Sequence, residues 1–252
     1  MPSISAILIA KDEERDLPGC LESLKGLATE IVVVVSDDTT DRTDEIAKSY
    51  GAKTFRRKFD DYARMRQASL DAATGDWCLW IDPDERATPA LVTEIRQALA
   101  KDPDCDGFDI PFEVSFLGHT MRWGGLGHES HVRLFRREGS RFTGGALHEG
   151  IETKNGSIRS LEAKMTHIPY RDVADYMSKL ERYTDLGAQK RFAAGKRFTV
   201  FHHLIYPWEL FARVVLKLGF LDGGPGLTWA RLSAYHSWLK YDKLRRMQEE
   251  KR

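Results

Sequence analysis

Cysteine is scarce in this chain, and none of it has the spacing that metals or redox chemistry favour. Cys20, Cys78 and Cys105 are the only three in 252 residues and form no CxxC pair. Cys20 and Cys78 sit in apolar settings, so packing cysteines of a reduced protein are expected. An excess of charge of one sign is also lacking: 38 Lys and Arg balance 38 Asp and Glu. Composition therefore gives no case for a nucleic-acid partner. No uninterrupted apolar stretch is long enough to span a bilayer. Met1-Pro2-Ser3-Ile4 lacks the charged and apolar regions of a signal peptide, and the expected location is the cytoplasm. No GxGxxG follows a strand and no GxxxxGK precedes Ser or Thr, which removes dinucleotide-binding and P-loop readings. Neither GxSxG nor HExxH occurs, and there is no internal repeat or low-complexity linker.

What is present is an alternation of strand and helix patterns. Ile4–Ala10 reads as a buried strand, and Glu13 to Lys25 follows with Leu17, Leu21 and Leu24 at helical spacing. Ile31–Val35 is a β-branched strand that ends in the polar run Ser36-Asp37-Asp38-Thr39-Thr40-Asp41. A helix from Thr43 to Tyr50 stops at Gly51, Ala52–Phe55 is a short strand, and Tyr62 to Ala73 is a helix. Such alternation predicts βαβ units, a parallel sheet and an α/β fold. After Asp106 the pattern changes: Phe108–Phe112 and His131–Phe135 read as strands among glycine-rich loops. After Tyr170 it becomes helical, with Asp172–Ala193 and Leu227–Met247 as helices and Gly223-Gly224-Pro225-Gly226 as a break before the latter. The expected organisation is 1–106, 107–170 and a helical extension, 171–252.

The stretch Trp77-Cys78-Leu79-Trp80-Ile81-Asp82-Pro83-Asp84-Glu85 carries the most chemistry. An apolar run of strand length ends abruptly in three carboxylates, at the C-terminal strand end where open α/β folds place ligands. Asp82 and Asp84, two residues apart, suit a hard cation shared with substrate phosphates. The competing reading is a strand–turn–helix junction in which Asp82 favours the turn and Asp84 caps a helix beginning near Thr88-Pro89. Arg64 and Arg66, on the preceding helix, point to different faces, one toward a phosphate and the other into solvent.

Several segments taken together resemble inverting family 2 glycosyltransferases of the GT-A fold, a Rossmann-like, mostly parallel sheet flanked by helices. They are Ile9-Ala10-Lys11-Asp12-Glu13-Glu14-Arg15, Val35-Ser36-Asp37-Asp38-Thr39-Thr40-Asp41-Arg42-Thr43 and Gly75-Asp76-Trp77 leading into Asp82-Pro83-Asp84-Glu85-Arg86. Arg133-Leu134-Phe135-Arg136, Leu147-His148-Glu149 and Leu221-Asp222-Gly223-Gly224-Pro225-Gly226 follow in the same order. The closer likeness is to the bacterial branch that adds a glucose-type sugar to the lipopolysaccharide inner core.

That resemblance implies a function: transfer of one hexose, glucose from UDP-glucose, to an inner-core sugar of a lipid-linked oligosaccharide. It implies that Asp82 and Asp84 hold Mn²⁺ or Mg²⁺ on the UDP-sugar diphosphate. Asp37 or Asp38 corresponds to the acid that reads uracil, with Ala10, Asp12, Glu13 and Arg66 on the nucleotide side. Asp12 stands where the family has Asn. The QxxRW motif of processive synthases is absent, which favours single addition. Transfer also needs a base for the acceptor hydroxyl. Glu149 is the first candidate, among glycines that let the backbone approach a substrate, and Glu85 beside the metal ligands is its rival. His148 would orient a carboxylate or contact phosphate, and His167 would return as a further metal or phosphate contact.

The aromatic segment Phe198 to Phe220 and the basic tail Lys240–Arg252 fit either an anionic inner-leaflet surface, making the protein peripheral there, or internal packing and a homodimer. Two rival functions share the architecture. A sugar-nucleotide pyrophosphorylase would need a basic, glycine-rich loop where Lys11-Asp12-Glu13-Glu14-Arg15 stands. The other is an inactive paralogue that only binds sugar or a partner.

Overall fold

Ile4–Ala10 (β1) is apolar on both sides and almost wholly buried, the mark of a strand covered on both faces. In this computed structural model, residues 2–126, 129–145 and 148–251 are described, without the side chains of His148 and Glu149. From β1 the chain continues through α1 (Leu17–Ser23), β2 (Glu30–Ser36), α2 (Thr43–Ser49), β3 (Lys53–Arg57), α3 (Tyr62–Asp71), β4 (Trp77–Trp80), β5 (Glu85–Ala87) and α4 (Pro89–Ala100). Next come β6 (Gly107–Phe116), β7 (His119–Met121), β8 (Ser130–Arg136), β9 (Arg141–Gly145), β10 (His148–Glu152), β11 (Ile158–Ser160) and β12 (Met165–Tyr170). The helices α5 (Val173–Ala193), α6 (Ile205–Phe211) and α7 (Gly223–Glu250) complete it.

The chain forms two compact units, Met1–Phe112 with Glu129–His167, and Glu113–His128 with Ile168–Arg252. The main sheet has the order β3-β2-β1-β4-β8-β6-β12-β5. Its first four strands are parallel, as the alternating pattern predicts, while β8 runs antiparallel to both β4 and β6. Buried leucines of α1 and α4 pack with β1 and β2 residues in one core, and Ile7, Val32, Cys78 and Phe135 line another. All three cysteines are free and buried. Gly75 explains itself here. Its N–H donates to Ser5 Oγ at 2.9 Å, and a Cβ would lie 2.8 Å from Ser5 N. Asp76 accepts from Ser3 N–H and Oγ, which ties the start of β4 to the start of β1.

Helix α1 is shorter than its periodicity, beginning at Leu17 rather than Glu13, because Pro18 fits only a first turn. The opposite holds for α7, which begins at Gly223 rather than Leu227. Pro225 lies within its first turn, where a missing N–H costs nothing. The second unit has its own core of Tyr176, Leu180 and Leu239, flanked by Trp229. Buried Asp222 accepts from Arg122 N–H at 3.1 Å and Trp123 N–H at 2.8 Å, fixing the loop after β7 to the start of α7. A Cβ on Gly226 would collide with the Gly219 carbonyl, so the Asp-Gly-Gly-Pro-Gly run is explained by packing. Three of the tail's basic residues are paired with acids within this unit. Lys243 pairs with Glu181 and Asp185, Arg245 with Asp242 and Glu249, and Arg246 with Asp242. Among the described residues no helix is long and apolar enough to cross a membrane.

Candidate active site

The buried strand β4 delivers the chain to a tight carboxylate turn. Glu85 N–H donates to Asp82 O at 2.9 Å, and Asp82 N–H donates to Glu85 Oε2 at 2.9 Å. Arg86 clips this turn from below. Its guanidinium donates to Pro83 O at 2.8 Å, Glu85 O at 2.7 Å and Asp16 O at 2.9 Å. Gly19 leaves room for it, since a Cβ there would lie 2.6 Å from Arg86 Nε. Thr88, not Asp84, caps α4, accepting from Leu91 N–H at 3.2 Å. Asp84 is thereby spared the capping role open to it on sequence.

Two arginines reach Asp82 from separate elements. Arg66 on α3 donates to Oδ1 at 2.7 Å, and Arg133 on β8 approaches Oδ2 at 3.3 Å and Glu85 Oε1 at 2.6 Å. Their guanidinium carbons lie 4.4 and 4.1 Å from the Trp80 ring centroid, so the indole carries both cations. Arg64 points away, to Asp60 and Asp61. Burial alone would raise the Asp82 carboxyl, but the two guanidiniums outweigh it and hold it far below the usual range. Glu85, 2 % exposed, is raised above its ordinary value by burial against the opposing effect of Arg133. Trp80 Nε1 and Arg133 Nε and Nη1 are buried without an acceptor among the described residues.

Antiparallel pairing of β5 with β12 sets Glu85 opposite His167. It brings His167 Nε2 to 3.3 Å from Asp84 Oδ2. Burial would lower the imidazole pKa, yet the Asp84 hydrogen bond and the neighbouring acids raise it. The nucleotide-side candidates cluster at the ends of β1 and β2. Ala10 pairs with Val35, and Asp12, at φ +53°, accepts from Thr40 N–H at 2.8 Å. Glu13 N–H donates to Thr43 Oγ1 at 2.7 Å. Asp38 is engaged by Lys11 and by Ser36 Oγ, whereas the exposed Asp37 carboxylate has no partner among the described residues. β10 pairs with β9, setting Glu149 opposite Gly144, and Phe142 of β9 packs edge-on against Trp80 at 5.1 Å. The side chains of the remaining candidates, His148 and Glu149, lie outside the described residues.

Sequence reading did not single out Arg133, Trp80 or Arg86 for this site. Arg133 carries the clearest signal, a cation between Val132 and Leu134 in a strand, which must find an anion once buried.

Carboxylates clustered at the end of the central parallel strands stand where open α/β sheets place their ligands. The Glycosyl transferase family 2 model matches residues 5–151, more than half of the chain, which therefore belongs to that family and is a glycosyltransferase. It is similar to the lipopolysaccharide core biosynthesis glycosyltransferase LpsC of Rhizobium meliloti (strain 1021), 25% identical over 92% of this chain and 90% of the relative. An uncharacterized glycosyltransferase of Rickettsia prowazekii (strain Madrid E) is 33% identical over 97% of this chain and 87% of its own. Among solved structures, S. aureus TarS in complex with UDP-GlcNAc covers 99% of this chain and 91% of its own at TM-score 0.49 and 16% identity. Glucosyl-3-phosphoglycerate synthase of Mycobacterium tuberculosis with Mn²⁺ and UDP-Glc covers 45% and 44% at TM-score 0.37 and 23% identity.

Proposed function

We propose that this site moves one hexosyl group, glucose from UDP-glucose, to a hydroxyl of a lipopolysaccharide inner-core sugar, with inversion and with Mn²⁺ or Mg²⁺. The observation that carries the reading is the approach of His167 to Asp84 beside an Asp82 clamped by two arginines. Their 3.3 Å separation suits two neighbouring ligands of one cation. Octahedral ligands at ~2.1 Å lie about 3 Å apart. Asp84 and His167 would hold the metal directly, and Asp82 would complete the anionic face. Among the described residues no group of three or more side chains is poised for a metal. The rest of the shell then falls to diphosphate oxygens and water, the usual arrangement for such cations in nucleotide sites. The metal would supply charge neutralisation on the departing UDP.

The protein's own groups do the rest. Asp37 has its carboxylate available to accept from the uracil edge. Asp12 holds the Thr40 backbone, shaping the loop between the two nucleotide-side segments. Arg66 and Arg133 fix Asp82 and keep it ionised. Both Glu85 oxygens are already engaged, one by Arg133 and one by Asp82 N–H. Glu149 is therefore the proposed base, taking the proton of the attacking acceptor hydroxyl. The family likeness and the lipopolysaccharide core relative LpsC support the choice of acceptor.

Asp84→Asn keeps the size of the side chain but offers a weaker, uncharged ligand. Calorimetric titration of UDP with Mn²⁺ should show affinity lost in the folded variant. Equal affinity in the variant and the wild type would remove Asp84 from the metal site.

A further inference from the structure

The helical stretch from Val200 to Leu216 turns its apolar side chains outward. Phe201, Leu204, Trp208, Phe211 and Val215 recur at three- and four-residue intervals, so they share one face. They are 75, 62, 60, 47 and 46 % exposed. Leu216, Phe220 and Leu221 extend the exposed run. A helix on a water-soluble surface would bury such a stripe, and α6 already uses another side to pack on α7.

Charge in this segment is mainly of one sign. From Ala194 to Leu221 the chain holds Lys196, Arg197, Arg213 and Lys217 against a single acid, Glu209. Glu209 is taken by Arg213 at 3.3 Å. Exposed Lys196, Arg197 and Lys217 have no carboxylate partner among the described residues, in contrast to the internally paired Lys243, Arg245 and Arg246 of the tail.

We propose that this stripe is a membrane-docking surface for an anionic bilayer. Its aromatic and aliphatic side chains enter the headgroup–acyl boundary, and Lys196, Arg197 and Lys217 take lipid phosphates. The stripe, not the tail, is the docking element. Charge complementarity favours lipid over a second copy of the chain. An isologous contact through this face would set like cations against one another. The inference stands apart from the transfer chemistry, because its readout is lipid binding.

The test is co-sedimentation of the full chain with phosphatidylcholine vesicles, with and without a phosphatidylglycerol fraction, at low and high salt. Wild type should bind the anionic vesicles, less so as salt rises. Phe201→Ser/Trp208→Gln changes two exposed side chains and should keep the fold, checked by unfolding midpoint, while binding falls at least about tenfold. Lys196→Gln/Arg197→Gln/Lys217→Gln should weaken binding and flatten its salt dependence. Absence of wild-type binding to anionic vesicles would overturn the proposal, as would undiminished binding of the Phe201/Trp208 variant. So would a wild-type dimer in sedimentation velocity that this variant dissolves, since the stripe would then be a subunit interface.

Discussion

Gly19→Ala should destabilise this protein, against the usual rule for a glycine in a helix. Gly19 lies within α1, where Gly→Ala ordinarily gains about 1 kcal/mol. Here the added Cβ would stand 2.6 Å from Arg86 Nε, 2.7 Å from Nη2 and 2.9 Å from Cζ. The guanidinium must retreat, and its bonds to Pro83 O, Glu85 O and Asp16 O, all between 2.7 and 2.9 Å, stretch or break. A hydrogen bond from a charged donor contributes about 1.5–3 kcal/mol, so losing even one outweighs the helix gain by about 0.5–2 kcal/mol. Urea unfolding read at constant m measures it. Arg86→Ala removes the obstacle, and in that background Gly19→Ala should turn stabilising by about 0.5–1 kcal/mol. Because Arg86 fixes the carbonyls of the Asp82–Glu85 turn, Gly19→Ala should also weaken Mn²⁺-dependent UDP binding by roughly tenfold. A Gly19→Ala protein that is more stable than wild type, or an effect of the same sign and size in both backgrounds, would refute the reasoning.

Glu149→Gln should lower kcat by ~10²–10⁴ with little change in donor affinity. If it turns over normally while Glu85→Gln is inactive, the base is Glu85. Glu30 gives a pH prediction. Burial opposes its ionisation, but Lys53, Ser5 and Thr74 bind the carboxylate and lower its pKa to about 2. A depressed carboxyl stabilises the fold above its unfolded pKa of about 4.3 and loses that contribution as pH falls toward its folded value. Stability measured by urea unfolding should drop by up to about 3 kcal/mol between pH 5 and pH 2 from this group. Glu30→Gln should remove that part of the slope, and an unchanged slope would refute the assignment.

Local signals were legible wherever one element decided its own fate. β1 forms over Ile4–Ala10, as its apolar pattern predicts. α2 ends just before Gly51, whose φ of +76° is cheap for glycine alone. The carboxylate turn after β4 was legible for the same reason, an apolar run that stops in acids. The resemblance named His167 for the site, but the register that brings it there was not legible. β5 is three residues long, Glu85-Arg86-Ala87, too short and polar to show a period. Its pairing with β12, far along the chain, is what brings His167 to Asp84. Likewise, Arg133 reaches Asp82 only because β8 lies antiparallel beside β4.

That pairing bears on how two aspartates two residues apart take different parts in the proposed site. Asp82 meets two guanidiniums that share the Trp80 face, which hold the carboxylate in place and lower its pKa. Asp84 meets one imidazole, a group that changes charge near neutrality and is itself a metal ligand. Replacing a proton between Asp84 and His167 with a divalent cation would keep positive charge between them and add one unit, which the diphosphate would offset. No similar exchange is open to Asp82 without displacing an arginine from a buried ion pair. In the proposed site the arginines would direct a cation toward Asp84 and His167 and leave Asp82 as a negative wall beside it. In this reading the metal sits where it costs the least buried charge, and the diphosphate is drawn to the same side of the turn.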